Sequence, residues 1–275
     1  MREYVFAGSF YPANKRAIMD FIKDSVGNVE QSGVRQSDFI SYVAPHAGYV
    51  YSGNVAAYTY NAISENGRLP RIETIVVVGP NHTGYGRPIS VSMQDWKTPL
   101  GEIKNDFELS EAIVKSSDMI DADESAHASE HSIEVQLPFI QMVAPNKKFV
   151  AICMGDQSLE YCESLANAIM AAEKKLGRDV MVVASSDFNH YETAEVAKKK
   201  DLPLIEKLKV MDYAGFHSLV DELGDSACGF GPITVSLLCA KAHGATKGEL
   251  LKYANSGDAT GDYSSVVTYA SIGFG

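Results

Sequence analysis

The sequence predicts an α/β protein, a single domain over residues 1–275 with a mostly parallel central sheet flanked by helices. Short, nearly continuous apolar runs alternate with segments of helical spacing, a pattern typical of parallel strands that are buried on both faces. No linker rich in proline, serine and glycine and no block of charge divides the chain. Three of the apolar runs also end in polar side chains, which is where such sheets bind their ligands.

Each of these three runs contains β-branched residues, then a break, and then a histidine or an aspartate. They cover residues 39–46, 74–82 and 180–190, and they end at His46, at His82, and at Asp187 followed by His190. Because the carboxyl ends of parallel strands lie at one edge of a sheet, we expect these side chains to converge. Two histidines and one further donor form the smallest common transition-metal site with open positions. The alternative is that they are ordinary loop histidines.

The other elements follow from apolar spacing and from breakers. Pro12 suits the start of a helix, and the spacing of Ile18, Phe21, Ile22 and Val26 continues it. Further helices are predicted at 54–63, 107–116, 132–142, 158–175, 192–208 and 211–222, and from just after residue 228 to about residue 241. Further strands are predicted at 149–154, 250–255 and 264–272, and residues 89–93 and 96–103 are interpreted as short antiparallel strands around a turn.

Composition and charge argue against several classes of function. Hydrophobic residues make up 45% of the chain, which is ordinary for a globular protein. The formal net charge is −11, which argues against binding to nucleic acid or to an anionic membrane surface. The N-terminus lacks a signal-peptide core and no apolar run approaches ~20 residues, so we expect a cytoplasmic protein. The four cysteines show neither CxxC spacing nor a disulfide framework.

Cys228 differs from the other cysteines because it lies just before a predicted helix N-terminus. The positive end of the helix dipole would favour the thiolate, which is the form that binds metal. A thiolate is therefore a plausible third ligand beside His46 and His82, if Cys228 folds back onto the same edge of the sheet. The alternative is an inert buried thiol.

Two further pairs could support the chemistry of such a site. Asp187 and His190 form a compact acid–base pair in which the aspartate orients the imidazole or serves as a ligand, and His190 acts as general acid or base. The alternative is a local turn with a solvent-facing histidine. Glu130 and His131 precede a predicted helix, where they could line the site, although acidic residues also stabilise a helix dipole there.

Six ordered motifs resemble those of the MEMO family, and the resemblance covers nearly the whole chain. The opening at residues 7–11 and the ending at residues 253–256 also fit this family. The motifs are Ala44-Pro-His-Ala-Gly-Tyr49, Gly79-Pro-Asn-His82, Thr98-Pro-Leu-Gly101, Glu130-His-Ser-Ile-Glu134, Ser185-Ser-Asp-Phe-Asn-His190, and Cys228 with Gly229 followed by Pro232 and Ile233.

The resemblance implies a fold similar to that of the class III extradiol ring-cleaving dioxygenases. It implies that His46 and His82 are metal ligands, that Cys228 takes the place of the dioxygenase glutamate, and that His190 is the acid–base group, accompanied by Asp187. One transition-metal ion is implied, with iron or copper favoured and zinc as a further candidate. Prokaryotic members are often associated with radical-SAM and AMMECR-type proteins, which are therefore expected partners.

A thiolate in place of the glutamate makes the site softer, which favours copper, zinc or a thiolate-ligated iron over ring-cleaving chemistry. The leading hypothesis is a metal-dependent oxidoreductase of unknown substrate, related to the dioxygenases. The second is a metal-activated hydrolase of the amidase or esterase type. The third is a non-enzymatic module whose cleft binds a peptide or protein. In each case the cleft would take a small molecule or a peptide.

Overall fold

Helices and strands alternate along most of the chain in the computed structural model, which describes residues 1–31 and 38–275. The helices are α1 Lys15–Gln31, α2 Asn54–Ser64, α3 Phe107–Val114, α4 Leu137–Val143, α5 Leu159–Leu176, α6 Ala194–Lys209, α7 Tyr213–Leu223, α8 Phe230–Ala242 and α9 Gly257–Thr260. The strands are β1 Ser41–Ala44, β2 Thr74–Pro80, β3 Ile89–Val91, β4 Trp96–Thr98, β5 Gly101–Ile103, β6 Asp121–Ala122, β7 Lys148–Met154, β8 Val180–Ser185, β9 His190–Glu192, β10 Gly248–Asn255 and β11 Val266–Phe274. One π-helical turn, Tyr49–Gly53, leads into α2, and a 3-10 turn, Glu134–Gln136, leads into α4.

Nine of the described strands form one sheet. Its order is β10-β11-β1-β8-β2-β7-β3-β6, and β9 pairs with β11 outside this path. The central strands β1, β8, β2 and β7 are parallel. β11 and β3 run antiparallel to β1 and β7 on the two sides of this group. The predicted α/β class with a mostly parallel central sheet is therefore confirmed.

Strand β2 shows how the sheet is buried on both faces. Ile75 and Val77 pack in a core with side chains of α1, α2 and α4, whereas Val76 and Val78 pack with side chains of α3, α5 and α8. All four are fully buried, and burial of one such side chain contributes about 1.5–3 kcal/mol. A third core lies between α6, α7 and α8 and the β1–β11 side of the sheet. The apolar run is continuous because neither face of this strand meets water.

Three short strands, β3, β6 and β9, differ from the prediction. β6 was not predicted, and it pairs with β3 at the edge of the sheet. The interpretation that residues 89–93 pair with the 96–103 segment is wrong, since β3 joins the main sheet beside β7 while β4 and β5 form a separate hairpin. Ile89 and Val91 are fully buried in the core beneath α3 and α5, and this burial holds β3 in the sheet. The sequence did not predict β9, whose partner β11 lies far away along the chain. Among the described residues no helix is long and apolar enough to cross a membrane.

A buried carboxyl lies where α6 packs on β10 and β11. Asp201 is fully buried, and the hydroxyl of Tyr253 donates to its Oδ2 at 2.5 Å. Burial, together with the neighbouring carboxylate of Asp225, raises the pKa of Asp201 to about 7. The folded protein therefore holds a proton here that the unfolded chain releases near pH ~4.

We predict that Asp201→Asn removes a pH dependence of stability. The free energy of unfolding of the wild type should decrease as the pH rises from about 4 to about 7. In that range the folded state still binds this proton whereas the unfolded chain has released it, so a rising pH favours unfolding. Asparagine supplies a permanent N–H donor, so the variant should gain stability relative to the wild type at pH ~8 compared with pH ~5. Urea unfolding at both pH values measures this. The exposed Asp221→Asn is the control, and equal pH slopes for wild type and Asp201→Asn would contradict the prediction.

Candidate metal centre

The sheet order brings the three strand ends together. β8 lies between β1 and β2, and all three strands are parallel, so the segments that follow them leave the sheet at the same edge. His46 follows β1, Asp187 follows β8 and His82 follows β2. The rings of His46 and His82 lie 5.2 Å apart between centroids. The predicted convergence of these strand ends is present in the structure.

A third imidazole completes the cluster, and it comes from the loop before α4. One nitrogen of each of His46, His82 and His131 lies within 4.8 Å of the others, so the three could hold a metal ion. The rings of His82 and His131 are stacked, with centroids 4.5 Å apart. His131 was expected only to line the site, and its position makes it a candidate ligand.

Glu130 fixes this loop and the ring of His82 together. The Nδ1 of His82 is 2.9 Å from Oε1 of Glu130, and the backbone N–H of His82 donates to Oε2 at 2.6 Å. The backbone N–H of Ser132 donates to Oε1, while the hydroxyl of Ser132 donates to the carbonyl of Pro80 at the end of β2. A Cβ on Gly79 would lie 2.5 Å from that hydroxyl, so only glycine permits the close approach. The loop is thereby joined to the strand end that carries His82.

These hydrogen bonds also set the tautomers of two imidazoles. A carboxylate accepts but cannot donate, so Nδ1 of His82 carries the proton and Nε2 is left free to bind a metal. The Nδ1 of His46 lies 2.9 Å from Oγ of Ser185, whose own proton goes to the carbonyl of Ser132. His46 therefore donates through Nδ1 as well, and its Nε2 faces the cluster.

The electrostatics of the site favour neutral His46 and His131 beside the ionised carboxylate of Glu130. Burial alone would raise the pKa of Glu130, but the hydrogen bond from the ring of His82 and those from the backbone N–H groups of His82 and Ser132 outweigh it and lower that pKa to about 2. Burial and the neighbouring His82 lower the pKa of His131 to about 4. Burial, with the other imidazoles, also lowers the pKa of His46 well below its usual value. Neutral imidazole is the form that binds metal.

Cys228, which lies just before α8, also contacts this cluster. Its Sγ lies 3.1 Å from Nε2 of His46. A Cβ on Gly229 would lie 2.5 Å from the carbonyl oxygen of Ser185, so this glycine lets the loop lie against the end of β8. The amide of Gln157 holds the loop by donating to the carbonyl of Cys228 and accepting from the N–H of Gly231.

The expected lowering of the thiol pKa is wrong for the metal-free protein. Cys228 does precede α8, but burial and the nearby Asp187 raise the pKa of its thiol well above the usual value. Burial outweighs the helix dipole because the sulfur is removed from water. The thiol is therefore protonated and donates to Nε2 of His46, and a metal ion at this position would displace that proton.

Asp187 and His190 do not form the expected pair. Oδ1 of Asp187 accepts the backbone N–H groups of His46 and Ala47, so the aspartate positions the loop after β1, and burial raises its pKa to about 7. His190 bonds to Ser226 instead, with Nδ1 3.0 Å from the carbonyl oxygen. Because a carbonyl only accepts, Nδ1 carries the proton and Nε2 is the basic atom. Burial lowers the pKa of His190, which keeps this nitrogen unprotonated near neutral pH.

A cleft of about 710 Å³ opens over the cluster. The rings of Phe10 and His131 are 4.5 Å apart, so the N-terminal loop packs on the third imidazole. The carboxylate of Glu134 anchors that loop by accepting the backbone N–H groups of Val5 and Phe6 and the hydroxyl of Tyr11. The lining residues include His46, His82, His131, Asp187 and His190.

The sequence did not predict several residues that hold these groups in place. Ser185, Ser226 and Gln157 bind His46, His190 and the Cys228 loop respectively. Ser185 lies within one of the six motifs, but its role depends on the neighbouring loop that carries Ser132. Ser226 and Gln157 carry no local signal, because their partners lie 36 and 71 residues away.

The fold and the site define a class of protein: an α/β protein with histidines at the carboxyl edge of a parallel sheet that could hold a metal ion. A profile of the Memo-like protein family matches residues 2–273. The chain is 42% identical to a MEMO1 family protein of Methanopyrus kandleri, over 99% of this chain and 98% of that protein. It is 43% identical to one of Methanosarcina mazei, with the same coverage. The chain belongs to the MEMO family, as its motifs predicted.

The fold is also similar to that of a solved structure at low sequence identity. An uncharacterized protein from Escherichia coli K12 superposes with a TM-score of 0.52 at 16% identity, over 86% of this chain and 99% of that one. At this identity the likeness concerns the fold alone.

We predict that Glu130→Gln weakens metal binding about 10- to 100-fold, because the carboxylate orients His82 and increases its basicity. Competition with a chromogenic chelator measures the dissociation constant. Glu173→Gln is a matched control, since Glu173 pairs with His243 at 2.9 Å away from the cluster. The prediction fails if both variants bind metal as the wild type does while keeping the same circular dichroism spectrum.

Proposed function

We propose that this protein is a metal-dependent oxidoreductase with one transition-metal ion bound at the edge of the sheet. The observation that carries the proposal is the cluster of His46, His82 and His131 nitrogens, with the Cys228 sulfur 3.1 Å from His46. Two of the imidazoles, the buried His46 and the exposed His82, are held as Nδ1–H tautomers, which leaves Nε2 of each free to bind a metal. A cleft over them gives a substrate access.

His46 and His82 belong to both candidate sets of ligands, which differ only in the third donor. We propose Cys228 as the third, because Zn–N and Zn–S bonds of about 2.1 and 2.3 Å bring two ligands of one tetrahedral ion to roughly 3.5 Å from each other. The Sγ–Nε2 distance of 3.1 Å is close to this. His131 is the competing third donor, stacked on His82.

The chemistry divides between the ion and the side chains. Bound iron or copper would supply one-electron chemistry, and bound zinc would act as a Lewis acid. His190 takes or returns a proton at Nε2, since its Nδ1 is held by Ser226. Asp187 holds the loop that carries His46 and keeps that ring aimed at the cluster.

A metal-activated hydrolase is the second candidate, and His131 favours it. Three imidazoles with an open fourth position are the donor set of one class of catalytic zinc site. His190 could then shuttle protons for a water attacking an amide or ester.

We predict that untagged wild-type protein contains about one equivalent of metal by mass spectrometry and that His46→Ala/His82→Ala contains none, because these two side chains belong to both donor sets. Single variants identify the third ligand: metal loss in Cys228→Ser but not in His131→Ala supports the thiolate. Cys239→Ser, at a buried cysteine of α8, is the matched control.

The metal that is found decides between the two functions. Iron or copper, with oxygen uptake that the double variant lacks, supports the oxidoreductase. Zinc with esterase or amidase turnover supports the hydrolase. No metal in the wild type, even after anaerobic reconstitution, would refute the metal centre and leave a cleft that binds a peptide or small molecule.

A further inference from the structure

The described side chains that line the cleft include carboxylates but no permanently positive group. Among the lining residues in the described part of the chain, no lysine or arginine occurs. Asp262 lines the cleft and is exposed, and its Oδ1 accepts both the N–H and the hydroxyl of Ser264. Anionic groups are usually bound by arginine or lysine. Apart from a bound metal ion, the cleft offers an anionic ligand no positive side chain.

Aromatic rings form much of the remaining wall. Phe10, Tyr51, Tyr191 and Tyr269 all line the cleft. Tyr51 and Tyr191 are 47% and 78% exposed, so their rings are available to a ligand. The face of an aromatic ring attracts a cation, and the attraction grows as the cation loses water.

Tyr191 is also held in a costly backbone conformation. Its φ is +63°, in the left-handed region, which a bulky side chain rarely adopts. The residues on both sides of it, His190 and Glu192, pair with β11 across a bulge, and this pairing imposes the conformation. The tyrosine side chain gains little from burial there, whereas glycine or asparagine would fit without strain. Strained residues of this kind concentrate at functional sites.

We propose that the cleft selects a cationic organic ligand, an amine or quaternary ammonium on an apolar or aromatic body, with Tyr191 and Asp262 as specificity-determining residues. The inference rests on the proposed function in one respect, since it treats the cleft over the histidines as the substrate site. The cation would lie against the ring of Tyr191 and near the carboxylate of Asp262, with the apolar body against the other rings. A ligand with an anion at that end would be repelled by the carboxylate of Asp262 and would find no lysine or arginine in the described lining.

The test compares three phenols of similar size that differ in charge: tyramine, phloretamide and phloretate. Isothermal titration calorimetry is carried out on metal-loaded and on metal-free protein. We expect tyramine to bind the metal-free protein about tenfold more tightly than phloretate, with phloretamide between them. Metal should reduce this ratio, because its charge attracts phloretate.

Variants assign the preference to the two residues. Tyr191→Ala should weaken tyramine binding about three- to tenfold while Tyr191→Phe retains it, because phenylalanine keeps the ring face. Asp262→Asn should lower the tyramine-to-phloretate ratio and keep the acceptor for Ser264. Tyr191→Gly should lose tyramine affinity without lowering the unfolding midpoint, which a structural role would not predict.

The results separate this inference from the proposed function. A tyramine preference in a protein that binds no metal supports the ligand class and refutes the metal centre. Metal binding without a tyramine preference refutes the ligand class alone. Absence of binding by all three phenols at about 10 mM, or an unchanged ratio in both Tyr191→Ala and Asp262→Asn, also overturns it.

Discussion

The buried carboxylate of Glu130 is the contact on which the site depends. It is fully buried, and an uncompensated carboxylate in that position would cost several kcal/mol. It accepts hydrogen bonds from the backbone and Nδ1 of His82 and from the backbone of Ser132. The carboxylate therefore joins the end of β2 to the loop that carries His131. Without this carboxylate, the ring of His82 would lose the partner that orients it, and the loop that carries His131 would lose its link to β2.

The same loop is tied to the N-terminus by a buried ion pair between Arg2 and Glu134. Arg2 lies 2.6 Å from Glu134, donates to the carbonyl groups of His127 and Glu130, and lies over the ring of Trp96. Glu134 in turn holds the N-terminal loop that packs on His131. Each charge is paired and hydrogen-bonded, which is the condition under which buried ions are tolerated. These polar contacts fix the loop geometry, while the apolar strands hold the sheet beneath it.

The sequence predicted the sheet and the edge at which the site lies, because continuous apolar runs and strand-end histidines depend on local pattern alone. His46 and His82 followed from that pattern. His131 was predicted only to line the site, since polar and acidic residues before a helix are common at any helix N-terminus. Its position as a third imidazole depends on the hydrogen bond from Ser132 to the carbonyl of Pro80. Asp187 and His190 are three residues apart and suggested a pair, but β9 begins at His190 and turns the ring toward Ser226.

If Cys228 is a metal ligand, its contact with His46 would link metal binding to protonation. The sulfur and Nε2 of His46 share one proton in the metal-free protein, because burial keeps the thiol neutral and His46 holds its other proton at Nδ1. An ion bound by both atoms must replace that proton, so each binding event releases it to solvent. The affinity for such an ion should then rise with pH. Gly229, which lets the Cys228 loop lie against the end of β8, would then determine both the position of this third ligand and the proton that metal binding releases.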